Sequence, residues 1–227
     1  MRRIGILVAM VMAGVMVALA VNGGGRFQRL DSLIAAQPQL VAAKEVRLAQ
    51  MKADLGKEMT VPGRYAITKR LYEEYSAYQY DSAYAYVSQC LRLAESIGDE
   101  ALLNESRLNL AHILSTACLM DKARQTLSQI DTSRLAPDQL VVYYRTLTDL
   151  LIYQAEYMQG TQYAQEYVQQ LVQVRRAAIA IDVPHDNINY LITLAECYSD
   201  DNQPQRAIDL LATLVSNYRS GDRMYSI

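Results

Sequence analysis

Few residues in this chain have the types and spacing that chemistry requires. The two histidines, His112 and His185, are far apart, and neither stands in an HExxH pair, so a histidine-rich metal site is excluded. The three cysteines, Cys90, Cys118 and Cys197, form no CxxC and leave at least one thiol unpaired within a monomer. Their ordinary reading is as small buried helix residues. There is no GxSxG, Walker loop or GxGxxG. Asp200 and Asp201 are adjacent carboxylates, but the Ser-Asp-Asp-Asn-Gln-Pro run around them is a turn cluster. They are expected to help cap the helix that follows it, with Asn202 as its N-cap and Pro204 in its first turn. His185 lies in a Pro-His-Asp turn, where Asp186 or Asn187 caps the next helix. The expectation is a protein without catalytic residues, metal or cofactor: not an enzyme.

The elements that would position any binding residues are helical. Leu194, Ala195 and Tyr198, then Ala207, Leu211 and Leu214, fall on single faces of two helices separated by the turn cluster. The same offsets recur in Leu110, Ala111, Leu114, Ala123, Leu127 and Ile130, and in Leu151, Ile152, Ala155, Ala164, Val168 and Leu171. Leu71, Tyr72 and Tyr75 open a further copy, in which Ala83 comes one position early, followed by Val87 and Cys90. That offset implies a shorter turn or an imperfect register. No segment alternates in the manner of a strand, so essentially no sheet is predicted.

This pattern resembles the tetratricopeptide repeat, in which helix A carries L-G-x2-Y and helix B carries A-x3-F. Here Ala195 stands for the glycine and Leu211 for the phenylalanine. The anchor leucines at 71, 110, 151 and 194 are 39, 41 and 43 residues apart, longer than the family's period of about 34. Longer helices and longer connections are expected to supply the difference. The resemblance implies an all-α fold, a right-handed α-solenoid of tetratricopeptide-like helical hairpins with an N-terminal helical lead-in.

The expected organisation is a signal peptide at 1–20, a linker and lead-in helices at 21–62, four hairpins at 63–220, and the start of a further, truncated helix at 221–227. Arg2 and Arg3 precede an uncharged apolar run from Ile4, and Ala18-Leu19-Ala20 offers a cleavage site before Asn22 and three glycines. Cleavage and export are favoured; the alternative is an uncleaved membrane anchor. No Cys follows the run, which argues against a lipid anchor. In the lead-in, Pro38 is expected to divide two short helices or kink one, and Val46, Met51 and Leu55 to share a face, with Gly56 and Pro62-Gly63 ending the helix.

The chain has 227 residues, 51% of them hydrophobic, a net charge of −2 and a pI near 5.7, so it can bury a core and has no electrostatic case for nucleic acid. Tyrosine is abundant, at 17, against one Phe and no Trp. Its main role is expected to be that of the large packing residue, with some rings lining a binding surface.

The resemblance also implies where a partner binds. Transferred position by position, the family's concave helix-A surface falls on Lys69, Glu73, Ser76 and Ala77; on Leu108, His112, Ser115 and Thr116; on Asp149, Tyr153, Glu156 and Tyr157; and on Ile192, Glu196, Ser199 and Asp200. These positions make an acidic face with Lys69 as its one fixed positive charge, suited to an extended peptide of neutral or basic character or to a partner helix. Leader, lead-in and long-period repeats together resemble the exported tetratricopeptide sensor regions of Gram-negative envelope regulators. In those, a transmembrane helix and a cytoplasmic output domain follow. The implied function is a periplasmic, non-enzymatic protein- or peptide-binding module serving as the sensor of a membrane-bound transcriptional regulator. A free-standing envelope scaffold or assembly factor, or a glycan-uptake binding protein, are the alternatives. Membrane attachment would come through the N-terminal segment or a missing C-terminal helix. The exposed edge of the last repeat is a candidate surface for homo-oligomerisation.

Overall fold

A computed structural model of the chain describes residues 31, 32 and 34–217. The proposed signal peptide and the helix start at 221–227 lie outside these residues. The chain divides after Gly56 into two compact units.

Residues 34–57 form one helix, α1, all but its last residue in the first unit. The division expected at Pro38 does not occur. The proline removes a single backbone donor, and the run from Ala42 to Leu55, rich in Ala, Lys, Glu and Leu, carries the helix onward. Its inward stripe also differs from expectation. Val46 is 71% exposed and Leu48 is fully buried, in line with half-buried Met51 and Leu55 at helical spacing.

The second unit contains α2 (Val61–Ser76), α3 (Tyr80–Ile97), α4 (Glu100–Thr116), α5 (Met120–Leu127), a 3₁₀ turn (Thr132–Arg134), α6 (Pro137–Tyr157), α7 (Gln162–Ile179), α8 (Ile188–Asp200) and α9 (Pro204–Asn217). No strand occurs among the described residues. These are four hairpins, α2–α3, α4–α5, α6–α7 and α8–α9, each packed internally, with α3 on α4, α4 and α5 on α6, and α6 and α7 on α8. The anchors Leu71, Leu110, Leu151 and Leu194 each stand five or six residues before the end of the first helix. Ala83, Ala123, Ala164 and Ala207 each stand two or three after the start of the second. The repeats are thus structurally equivalent.

The alanines lie where the helices cross: Ala83, Ala111 and Ala123 are fully buried, Ala195 is 2% exposed and Ala207 5%. One core joins Leu108, Ala111 and Leu114 of α4 to Ala123 and Leu127 of α5, to Ile130 and Leu135 beyond it, and to Leu150 of α6. Another groups Tyr65 of α2 with Cys90 and Ala94 of α3. Tyr65, Tyr72 and Tyr75 are core residues, as expected of tyrosine standing in for Phe and Trp.

The long period has two sources. The helices α3, α6 and α7 run to 18, 21 and 18 residues. The connections at 128–136 and 180–187 are long, whereas 98–99 is short, turned by Gly98 at φ 75° and then capped by Asp99. Helix α5 has only 8 residues, and the 3₁₀ turn completes its repeat. The one-residue offset of the first copy arises because α2 stops five residues after its anchor rather than six.

Several local expectations are corrected. Asn202 is not the N-cap of α9; it has φ 57° and closes α8. Gln203 N–H donates to Tyr198 O at 2.8 Å and Asn202 N–H to Ser199 O at 3.0 Å, the paired bonds of a left-handed C-terminal cap. Cys118 closes α4 in the same way at φ 58°, with Leu119 N–H on Leu114 O and Cys118 N–H on Ser115 O, both at 2.9 Å. Cys118 is therefore an exposed turn residue and not a buried helical one, unlike Cys90 and Cys197; all three thiols are free. Val168 and Leu211, assigned to the buried face of the second helices, are 48% and 41% exposed. The main partners of α7 are α6 and α8, and α9 packs on α8. Ile208 and Val215, at 57% and 62%, are exposed on α9 with Leu211.

A left-handed conformation costs a non-glycine residue about 1–2 kcal/mol, partly offset by glycine's greater unfolded-state entropy. Cys118→Gly is therefore expected to stabilise the fold by about 0.5–1 kcal/mol in urea denaturation. A loss of stability would mean that the thiol contributes more than the strained backbone costs.

Candidate helix-A binding face

The candidate residues follow from where each hairpin's first helix is capped and where it ends. Thr60, whose hydroxyl accepts from Gly63 N–H at 3.1 Å, starts α2. Asp99, accepting from Ala101 and Leu102, starts α4, and Asn187, accepting from Tyr190 N–H at 3.1 Å, starts α8. The cap of α8 thus falls to Asn187 rather than Asp186.

Three of the acidic candidates, Asp149, Glu196 and Asp200, are held in ion pairs. Arg145 Nη1 lies 2.6 Å from Glu196 Oε1 and its Nη2 3.3 Å from Asp149 Oδ1. Arg175, on α7, places Nε 3.1 Å from Glu196 Oε2 and Nη1 2.9 and 3.1 Å from the two oxygens of Asp200. His112 Nδ1 stands 3.8 Å from Asp149 Oδ2, an ion pair only when the imidazole is protonated. A single chain of charges thus runs from α4 through α6 to α8, with α7 contributing its deepest cation. The Arg175 side chain is 11% exposed and that of Glu196 22%, so most of the pair's solvation has been exchanged for contact with each other.

This arrangement overturns the expectation that Lys69 is the sole fixed positive charge on the face. Lys69 is itself held by Glu105 at 2.5 Å, and Glu105 also accepts from Tyr65 Oη at 3.0 Å. Burial first, then the nearby charge of Glu105, pushes the Tyr65 hydroxyl well above the ordinary phenol range. Asp200 and Asp201 are corrected as well. They do not cap α9; Asp200 binds Arg175 and Asp201 pairs with Arg176, tying the end of α8 to α7.

The remaining candidates divide by exposure. Ser115 is fully buried, its hydroxyl donating to His112 O at 2.8 Å, and Leu108 is a core residue, so both leave the candidate surface. Helix periodicity explains the loss: both positions face the packed hairpin behind α4. Glu73 and Ser76 are half-buried, with the Ser76 hydroxyl on Glu73 O. Ile192 and Tyr153 are half-buried; burial, then the charge of Asp149, raises the Tyr153 hydroxyl. Ala77, Thr116, Glu156 and Ser199 are exposed, and Tyr157 is 79% exposed. Arg145 and Arg175 were missed by the transfer of family positions. The spacing of Arg145 to Asp149, one helical turn, was a usable signal for the first. Nothing local pointed to Arg175, which reaches its acids across a hairpin boundary.

Such an arrangement can hold neighbouring helices in register and offer polar and aromatic groups at its margin. Among the described residues no group of His, Cys, Asp or Glu could hold a metal ion, and no helix is long and apolar enough to cross a membrane.

Stacked helical hairpins with small residues at their crossings define a tetratricopeptide-type repeat protein, a class that generally serves as a non-enzymatic scaffold for binding other proteins. Over residues 34–227 the sequence matches the family described as the SusR N-terminal TPR domain, and the chain belongs to that family. The chain matches no curated protein.

Two outcomes follow from the charge chain. Arg175→Ala strands Glu196 and Asp200 in a partly buried site and should cost about 3 kcal/mol in chemical denaturation. A loss much below this would place the pair effectively in solvent. Asp149 titrates above the usual carboxylate range because of burial, opposed by Arg145 and His112. With the folded pKa raised, the folded state holds its proton longer, so this group's contribution falls as pH rises from about 4 through the folded value. Asp149→Asn, which mimics the protonated acid, should therefore gain stability relative to the parent across that window. Parallel stability–pH curves would contradict it.

Proposed function

We propose that this domain is the periplasmic sensor region of a membrane-bound transcriptional regulator, binding a protein or peptide on the helix-A face. The observation that carries the reading is the charge chain through His112, Asp149, Arg145, Glu196, Arg175 and Asp200. A partner that displaces one member alters the pairing of three successive hairpins at once, which gives a binding event a route along the array. Its landing points are the exposed groups beside that chain, Glu156 and Tyr157, with Tyr153, Glu73, Ser76 and Ser199 at its edges.

Two further features support the reading. The leader at 1–20 has the pattern of an export signal. The family's description names an N-terminal domain, which accords with a further, signalling part of the protein.

The test has two arms. Alkaline phosphatase, which requires an oxidising compartment for its disulfides, should be active when fused after Asn217 and inactive once residues 1–20 are removed. An inactive fusion carrying the leader would end the periplasmic reading. Tyr153→Ala with Glu156→Ala should then lower recovery of the bound partner from envelope extracts by about tenfold, as expected for removal of one aromatic and one polar contact. Undiminished recovery would move the binding site off this face.

A further inference from the structure

Hairpins two and three leave a cavity between them. It is lined by Cys118 of the α4–α5 turn, Met120 and Asp121 of α5, Gln154, Tyr157 and Met158 at the end of α6, and Tyr167 of α7, and its volume is about 400 Å³. That size suits a single long side chain or a small ligand.

Its walls are chemically one-sided. Two phenol rings, two thioethers and a thiol supply polarisable surface, and Asp121 is the only charged residue lining it. No ion pair of Asp121 occurs among the described residues, in contrast to Asp149, Glu196, Asp200 and Asp201. Gln154 is fixed in place: it is 8% exposed, and its Oε1 accepts from Arg124 Nη2 at 2.7 Å. This bond holds the Arg124 guanidinium at the amide rather than on Asp121. Tyr157, 79% exposed, stands as a large ring in water at the end of α6.

The geometry points to a binding site for a cationic side chain, the arginine or lysine of a peptide partner, held by the Asp121 carboxylate and by the Tyr157 and Tyr167 rings. The aliphatic stem of such a side chain lies against Met120 and Met158, while its charged head meets the carboxylate and the electron-rich rings. This inference deepens the peptide-binding reading above and rests on it. It assigns the partner a basic residue, and it places the pocket at the turn end of the hairpins, beside Tyr157.

Cys118 provides the readout. It is exposed and lines the cavity, whereas Cys90 and Cys197 are buried. Burial pushes the Cys90 thiol up to about 12 and raises that of Cys197, so both are slow to react. The rate of Cys118 alkylation by iodoacetamide is measured on the whole chain with N-acetyl-arginine amide and with its uncharged isostere, N-acetyl-citrulline amide. Arginine amide should protect the thiol at concentrations about tenfold lower than citrulline amide. Asp121→Asn, at an exposed first-turn position, should abolish that preference, with each probe's protection measured against the variant's own unprotected rate. Equal protection by the two probes, a preference that survives Asp121→Asn, or no protection by arginine amide up to its solubility limit would overturn the assignment. These outcomes are independent of the phosphatase fusion and of the Tyr153/Glu156 double substitution. Failure of the pocket therefore leaves the sensor reading standing, and failure of the sensor reading does not mimic failure of the pocket.

Discussion

Close approach of paired helices at alanine governs the structure of the second unit. Ala83, Ala111, Ala123, Ala195 and Ala207 have almost no solvent exposure, and Ala155 and Ala164 of the third hairpin are half-buried; enlarging a fully buried side chain in a close-packed interior forces its neighbours apart. Each crossing fixes a hairpin but buries only part of its apolar surface. The rest is covered by the next hairpin, as when Leu150 of α6 completes the core built by α4 and α5. Stability in such an array is a sum of neighbour terms rather than the property of one central core. The exposed Ile208, Leu211 and Val215 of α9 mark the side of the last described helix that α8 does not cover.

The same stacking explains the buried charge. Once α7 lies on α8, Arg175 is largely withdrawn from water, and it is retained because Asp200 accepts hydrogen bonds from it and Glu196 stands opposite as an ion-pair partner. A buried ion pair adds little net stability over a well-packed apolar contact. It does penalise any sliding of α7 along α8, since a displaced Arg175 would lose its partners without regaining solvent. Register between hairpins is therefore set by charge where the interface is least apolar, and by leucine and alanine where it is most so. Arg145 extends the same logic from α8 to α6 and draws Asp149 into the chain.

Turn chemistry adds a local asymmetry. The hairpins at α4–α5 and α8–α9 are closed through a left-handed residue, Cys118 and Asn202, with the same pair of backbone bonds. Asparagine adopts this conformation at low cost and cysteine does not. The strained turn coincides with the short helix α5. Cys118 of that turn and Met120 and Asp121 of α5 line the recess beside Tyr157.

What the sequence determined by itself was whatever depends on spacing along one helix. The anchor leucines and their alanines marked out four hairpins, their order and the absence of sheet among the described residues, because periodicity of 3.6 is a property of the chain alone. Asn187, with Asp186 as the alternative, and Pro204 marked helix starts, because capping and first-turn preferences are also local to the chain. The single helix through Pro38, the left-handed roles of Cys118 and Asn202, and the exposure of Val168 were not legible, since each is decided by the backbone or neighbours a residue finally has. Least legible was the electrostatics of the candidate face. The acids Asp149, Glu196 and Asp200 were correctly placed on the first helices, yet their partner Arg175 belongs to a second helix and meets them only across a hairpin boundary. Charge pairing is a relation between points in space, and for residues from different helices the distance is set by packing, which no reading of one helix at a time contains.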